Sequence, residues 1–356
     1  MHEQGVALRF SFQMLPEQSM DELIDAVVLA DELGYHACYS ADEIYHKDMW
    51  LLFAAAARQT ERIRLGPCVS PIYLRDPTYV AQLAATLDEL SGGRAEVVFG
   101  IGNLAMLDQY GVTWEGTRPI ARLREAHAVM RTFLDHGEID FAGDFYRYSG
   151  VFTAARPVQQ HLPLKIGAMG GPKSMQLAGE IADGMLTACA YSPKAISYAL
   201  EQVRVGATRA GRDGETLDVG DNLLGAISTN GEAARAAARV LGAFYIPSMP
   251  ANLLERHGLA REELAPVIDA FAAGEVERAL ELTPEAVVDA LSVAGTSQDW
   301  VERLRRDVLP TGVEHLLLSF AEPFTVKSWS GREVNGVPDL AGQLHLFREE
   351  VIPALP

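Results

Sequence analysis

The stretch Leu164-Lys-Ile-Gly-Ala-Met-Gly-Gly-Pro-Lys-Ser-Met-Gln-Leu-Ala-Gly-Glu-Ile-Ala-Asp-Gly-Met-Leu-Thr187 decides the fold. Leu164 to Gly167 is a short apolar run of β type, broken by the glycines that follow, and a segment of helical spacing then leads to a second run, Gly184 to Thr187. Two strands joined through a helix lie parallel, because the crossover returns the chain to its starting end. One such unit implies a parallel sheet covered by helices.

The same alternation recurs on both sides of this stretch. Further candidate strands are Ala7 to Phe12, His36 to Tyr39, Ile63 to Gly66, Ala95 to Phe99, Leu217 to Ala226 and His315 to Ser319. The first connecting helix is bracketed by Ser19, which can cap its start, and Gly34, which can end it. Eight strand–helix units in 356 residues favour an α/β chain of the (β/α)8 TIM-barrel type over an open doubly wound sheet. No Pro-, Gly- or Ser-rich linker divides the chain, so residues 1–356 read as a single domain. Two insertions are expected, a hairpin near 139–148 and a helical stretch near 232–291, which suits a subunit contact or a lid.

With 48% apolar and 22% charged residues the chain is globular and long enough for a large core. Thirty Lys and Arg against 48 Asp and Glu give a net charge of −18, which repels nucleic acid and anionic membranes and leaves a small molecule as the expected partner. Cys38, Cys68 and Cys189 are too few and too scattered for a disulfide framework or a zinc site, as in a reducing compartment. The start, MHEQGVALRF, lacks an apolar signal core, and no apolar run reaches the ~18 residues that span a bilayer. These features read as a cytoplasmic protein.

In a barrel the site forms at the C-terminal strand ends. Here the first strand runs into Gln13, the second into Asp42, Glu43, Tyr45 and His46, the third into Cys68, Val69 and Ser70, and the fourth into Gly102 and Asn103. The fifth runs into Gly170-Gly171-Pro172-Lys173 at a helix start. Glycines admit a ligand close to the backbone, the helix start offers unpaired N–H groups, and Lys173 adds positive charge, so this turn suits a phosphate. The plain alternative is a tight turn whose glycines only satisfy geometry. Asp42, Glu43 and His46 suit proton exchange with a substrate, against the alternative of a solvated loop. Gly100-Ile-Gly102 lacks the third glycine of a dinucleotide fingerprint, and no nucleophile elbow, HExxH or paired-cysteine motif occurs, so no metal is expected.

Leu65-Gly-Pro-Cys-Val-Ser-Pro-Ile-Tyr-Leu-Arg-Asp-Pro77, Thr86-Leu-Asp-Glu-Leu-Ser-Gly-Gly-Arg94 and Phe99-Gly-Ile-Gly102 resemble the bacterial-luciferase-like superfamily of flavin and deazaflavin oxidoreductases. Lys165 to Gly184, Leu254-Glu-Arg-His-Gly-Leu259 and Val293-Ala-Gly-Thr296 resemble its coenzyme F420-dependent methylenetetrahydromethanopterin reductase branch. The resemblance implies that Asp42 lies beside the deazaflavin, that Cys68-Val69 is a non-prolyl cis peptide behind the ring, and that Ser70 meets the ring edge. It also implies phosphate contacts from Gly170, Gly171 and Lys173, places Gly102 and Asn103 in the glycine-rich loop beside the cofactor, and implies paired barrels, for which Leu51, Leu52, Leu83 and Leu87 are candidate contacts.

Three departures stand out: Glu43 replaces the family's His, Gln13 its acid, and the loop after the fourth strand is shorter and lacks a glycine. Glu43 and His46 then remain as the candidate catalytic residues. The reading that follows is an F420-dependent oxidoreductase moving a hydride to or from a small electrophilic substrate. The alternatives are an FMN-dependent monooxygenase on the same barrel and a non-catalytic binding barrel.

Overall fold

In the computed structural model, which describes residues 8–113, 116–188 and 191–356, the strands are β1 (Arg9–Met14), β2 (Ala37–Ser40), β3 (Arg64–Pro71), β4 (Val97–Gly100), β5 (Glu138–Ala142), β6 (Arg147–Phe152), β7 (Leu164–Ala168), β8 (Gly184–Thr187), β9 (Asp218–Ile227), β10 (Ser292–Gly295) and β11 (His315–Phe320). The main sheet runs β10-β9-β11-β1-β2-β3-β4-β7-β8, and β8 also pairs with β9. Registered pairs are parallel, as where Ala37 to Ser40 of β2 lie opposite Arg64 to Pro67 of β3. Without β10, this is the connectivity of a (β/α)8 barrel.

Strand positions follow the apolar runs to within a few residues. Ala7 lies outside the described residues, and β1 continues beyond Phe12 to Met14. β3 departs most from expectation, running on to Pro71, because its pairing with β4 survives a register shift between Cys68 and Ser70. β10, only Ser-Val-Ala-Gly, was too short to be told from the helical run before it.

The first helices are α1 (Met20–Glu32), α2 (Met49–Ala57), α3 (Pro77–Ser91), α4 (Leu104–Gln109), α5 (Pro119–His136), α6 (Pro172–Ile181), α7 (Pro193–Arg209) and α8 (Gly231–Tyr245). Ser19 caps α1 in a capping box with Glu22, and Gly34 leaves the helix at φ +80°. Backbone contacts group the chain into two compact units, one of Met14–Leu186 and Glu201–Asp218, the other of the remaining described residues. The first unit carries the antiparallel β5–β6 hairpin, and the second carries α8 and the short helices after it, where the two insertions were expected.

The segment Asp88 to Arg94 is a brace at the N-terminal ends of the strands. Gly92 and Gly93 take φ of +69° and +94° to turn the chain out of α3. The buried Arg94 guanidinium then donates to the carbonyls of Ala57 and Thr60 at 2.9 Å and of Ile63 and Ser91 at 2.7 Å. Asp88 in turn accepts from the N–H groups of Val158 at 2.7 Å and Gln159 at 2.9 Å. Because each carbonyl loses its partner in a dry setting, Arg94→Ala should destabilise the protein by about 3 kcal/mol or more. Chemical denaturation of the two proteins side by side measures the difference.

Candidate active site

Loops after β2, β3, β4 and β7 bring the expected site residues into the first compact unit. Asp42 is their centre. Its side chain is 3% exposed and accepts from Ser70 Oγ at 2.8 Å and Trp50 Nε1 at 3.3 Å. Arg75 completes the set with a forked contact, Nη2 to Oδ1 at 2.7 Å and Nε to Oδ2 at 3.0 Å, and also reaches Asp48 at 3.2 Å. Ser70 thus spends its proton on Asp42, and only its oxygen lone pairs are open to a ligand.

The Cys68–Val69 peptide is cis, as the resemblance implies. Val69 packs where two strands carry glycine: a Cβ on Gly167 would collide with Val69 Cγ1, and one on Gly100 would lie 3.2 Å from Val69 Cγ2. Gly102, at φ +94°, passes so near Pro71 that a Cβ would sit 2.7 Å from the proline Cβ. Asn103 is placed as a helix cap, its Oδ1 accepting from Met106 N at 3.4 Å. Burial pushes the Cys68 thiol up to about 12, so it remains protonated and is no nucleophile.

Deeper in this unit, Lys165 of β7 is 2.9 Å from Glu96 and 2.6 Å from Asp218. Glu96 also accepts from Arg64 at 2.8 Å and from Tyr39. Burial alone would raise Glu96, but Lys165 and Arg64 hold it at about 2.

Glu43 and His46 face each other, with His46 Nε2 4.0 Å from Glu43 Oε2. Burial, helped by the Asp42 charge, raises Glu43, and burial lowers His46. Both shifts favour the neutral forms. Beside them Ile44 and Tyr45 are exposed, and Tyr45 donates to Gln109 Oε1 at 2.8 Å. At the β7 turn Gly170 takes φ +72°, and α6 begins at Gly171 without a side-chain cap. Lys173, in the first turn, is exposed and enters no ion pair among the described residues. The remaining departure, Gln13, is in the other unit, where it accepts from Asn222 Nδ2 at 2.9 Å.

The family model for luciferase-like monooxygenases matches residues 4–315. The chain belongs to this family. A 5,10-methylenetetrahydromethanopterin reductase of Archaeoglobus fulgidus is 28% identical over 98% of this chain and 100% of its own. An F420-dependent glucose-6-phosphate dehydrogenase of Microbacterium testaceum is 27% identical over 98% of both chains. The solved coenzyme F420-dependent tetrahydromethanopterin reductase of Methanopyrus kandleri superposes with a TM-score of 0.86 at 26% identity, covering 98% of this chain and 100% of that one.

Within this luciferase-like chain, Arg75 and Trp50 were missed as site residues. Arg75 is one of several cations between Asp42 and Asp76, and nothing in the sequence links it or Trp50 to Asp42. Two of the expected subunit contacts need correction: Leu52 and Leu87 are buried in the core, since they lie on the inner faces of their helices. A buried acid also escaped notice: Asp221, pushed up to about 7 by burial, whose only hydrogen bond among the described residues is to Thr187. Arg75→Ala would leave Asp42 buried with two neutral donors. We expect a loss of about 1–3 kcal/mol in denaturant unfolding, partly restored by Arg75→Lys, which keeps the charge without the fork.

Proposed function

We propose that this protein is a coenzyme F420-dependent oxidoreductase that moves a hydride between the bound deazaflavin and a small electrophilic carbon of an imine, iminium or activated alkene. The observation that carries this reading is Val69 seated over Gly100 and Gly167, in the same unit as an uncapped helix start with Gly170, Gly171 and Lys173. The first offers a flat tricyclic ring an apolar back wall, and the second offers a phosphate N–H groups and a free ammonium, so the residues present fit the coenzyme. When bound, the deazaflavin supplies or accepts the hydride. Gly102 lets the loop pass close against Pro71, Asn103 shapes that loop, and Asp42 with Ser70 presents fixed polar atoms to the ring edge.

Transfer to a C=N or C=C carbon leaves the neighbouring atom in need of a proton. We assign it to Glu43, whose protonated form burial favours, with His46 beside it. The raised Glu43 pKa sets the direction of the pH profile: turnover falls as pH rises through that value and the acid ionises. Glu43→Gln should retain coenzyme binding and lose turnover by roughly 10²–10⁴-fold.

The cofactor is tested by titrating purified protein with F420, with its dephosphorylated ring fragment and with FMN, following absorbance and fluorescence. F420 should bind more tightly than the fragment. Lys173→Ala should weaken F420 by roughly tenfold, the scale of one charge-assisted contact, and leave the fragment unchanged. Equal losses for both would make Lys173 structural. Tighter binding of FMN would favour the monooxygenase alternative, since the same turn serves either phosphate.

A homodimer is part of this proposal, supported by Leu51 and Tyr79, which are 69% and 65% exposed on α2 and α3. Static light scattering at micromolar protein should return twice the chain mass, and a monomer mass would reject the pairing. A cytoplasmic setting is supported by the acidic charge, and no described helix is long and apolar enough to cross a membrane.

A further inference from the structure

Beside Glu43 and His46 stands a third enclosed ionisable group that the reaction proposed above leaves idle. Glu17, in the turn between β1 and α1, has its Oε1 3.5 Å from His46 Nδ1. The side chains of Glu17, His46 and Glu43 are 13%, 8% and 20% exposed, so the imidazole sits between two carboxylates with little water. Two bonds from Lys47 fasten the turns together, its N–H to the Pro16 carbonyl at 3.1 Å and its Nζ to the Glu17 carbonyl at 2.7 Å, while His46 N closes its own turn on the Glu43 carbonyl at 3.3 Å.

His46 Nδ1 is buried and makes no hydrogen bond. A ring nitrogen in that position needs compensation from a nearby opposite charge, and Glu17 is the carboxylate within reach on that side. The other groups facing the imidazole come from its own loop: Glu43, and the Tyr45 ring, edge-on at 6.5 Å. Tyr45 also couples electrostatically to Glu43 and to Tyr110, which follows α4. The Lys47 ammonium is bound to the Glu17 carbonyl.

We propose that Glu17 is a positioning residue whose carboxylate orients His46 and favours its protonated form, so that His46 returns a proton to Glu43 after each turnover. This inference rests on Glu43 as the proton donor. In the step, the O–H bond of Glu43 breaks as the substrate atom gains the proton. The Glu43 carboxylate and His46 Nε2, 4.0 Å apart here, then close to hydrogen-bond distance, the proton passes to Glu43, and His46 is reprotonated from solvent. Each carboxylate favours the charged ring, so ionisation of Glu43 itself draws the next proton onto His46. Two opposed forces act on the ring: burial, the larger, lowers His46, and Glu17 raises it.

The test is a titration of the His46 ring by NMR in the purified protein without coenzyme, with His46→Gln identifying the signal. Glu17→Gln should lower the His46 titration midpoint by about one pH unit, the size of a charge contact at this spacing in a water-like dielectric. Glu17→Asp should lie between the two. In the loaded enzyme the limb where kcat falls with rising pH should move to lower pH in Glu17→Gln, with KM unchanged. Should Glu17→Gln fail to fold, Glu17→Asp against the native protein carries the test. An unmoved His46 midpoint in a folded variant, or an unmoved kcat limb, overturns the inference. A shifted midpoint in a protein that does not turn over F420 would instead count against the proposed function alone.

Discussion

The Asp42 carboxylate, almost fully removed from water, is the charge around which the candidate site is arranged. Leaving such a group without donors would cost several kcal/mol, so every segment that supplies a donor is held to it. Ser70 comes from β3 just past the cis peptide, Arg75 from the loop that follows, and Trp50 from α2. One acceptor therefore fixes the β2 loop, the bulge of β3 and a helix relative to each other. The Arg75 loop is itself anchored by the hairpin insertion, where Tyr146 donates to the Ile72 carbonyl and Tyr148 to Asp76, both at 2.9 Å. Glu125 of α5 accepts from the N–H groups of Asp144 and Phe145 at 2.9 Å, which holds the hairpin down. An element that reads in sequence as a surface addition is thus a support for the site.

The same loops stand on a base that has little freedom to shift. Glu96, Lys165, Asp218 and Arg64 neutralise each other within the first unit, and Arg94 and Asp88 lock the opposite strand ends to their helices. Charged pairs of this kind add little net stability over apolar residues, yet removing one member leaves a buried charge alone. Their effect is to make one arrangement of strands far better than its neighbours. The proposed seat of a ring against Val69 and of a phosphate at α6 would benefit from such a frame, because both contacts depend on fixed backbone positions.

How much of this is legible in the sequence differs by element. The strand–helix alternation, the Ser19 cap and the glycine turn at Gly170-Gly171 follow from local chemistry, and they fix the fold and the place of the site. The cis bond at Cys68–Val69 was accessible only through resemblance, since a dipeptide of Cys and Val carries no local signal for it. The partners of Asp42 depend on segments 8 to 33 residues away meeting in space. Glu17 was invisible for the same reason: a Glu in a turn after a strand reads as solvated until His46 is seen 3.5 Å away. Leu51 and Leu52 show the limit of apolar pattern alone, since one is 69% exposed and its neighbour is fully buried.

Glu43 occupies the position where the resemblance expects a histidine, and an ionised acid next to Asp42 would turn this part of the site against anionic substrates. Burial acts against that charge, because it raises Glu43 and so favours the neutral carboxyl. That same neutral carboxyl is the form able to donate a proton. In the proposed reaction the substitution exchanges a ring that can be cationic for an acid whose uncharged form burial favours. Once pH rises through the raised Glu43 value, the donor is lost and a second negative charge appears beside Asp42 in a single event. In the proposed reaction, proton delivery and tolerance of the substrate's charge then share one control, the burial of the Glu43 carboxyl.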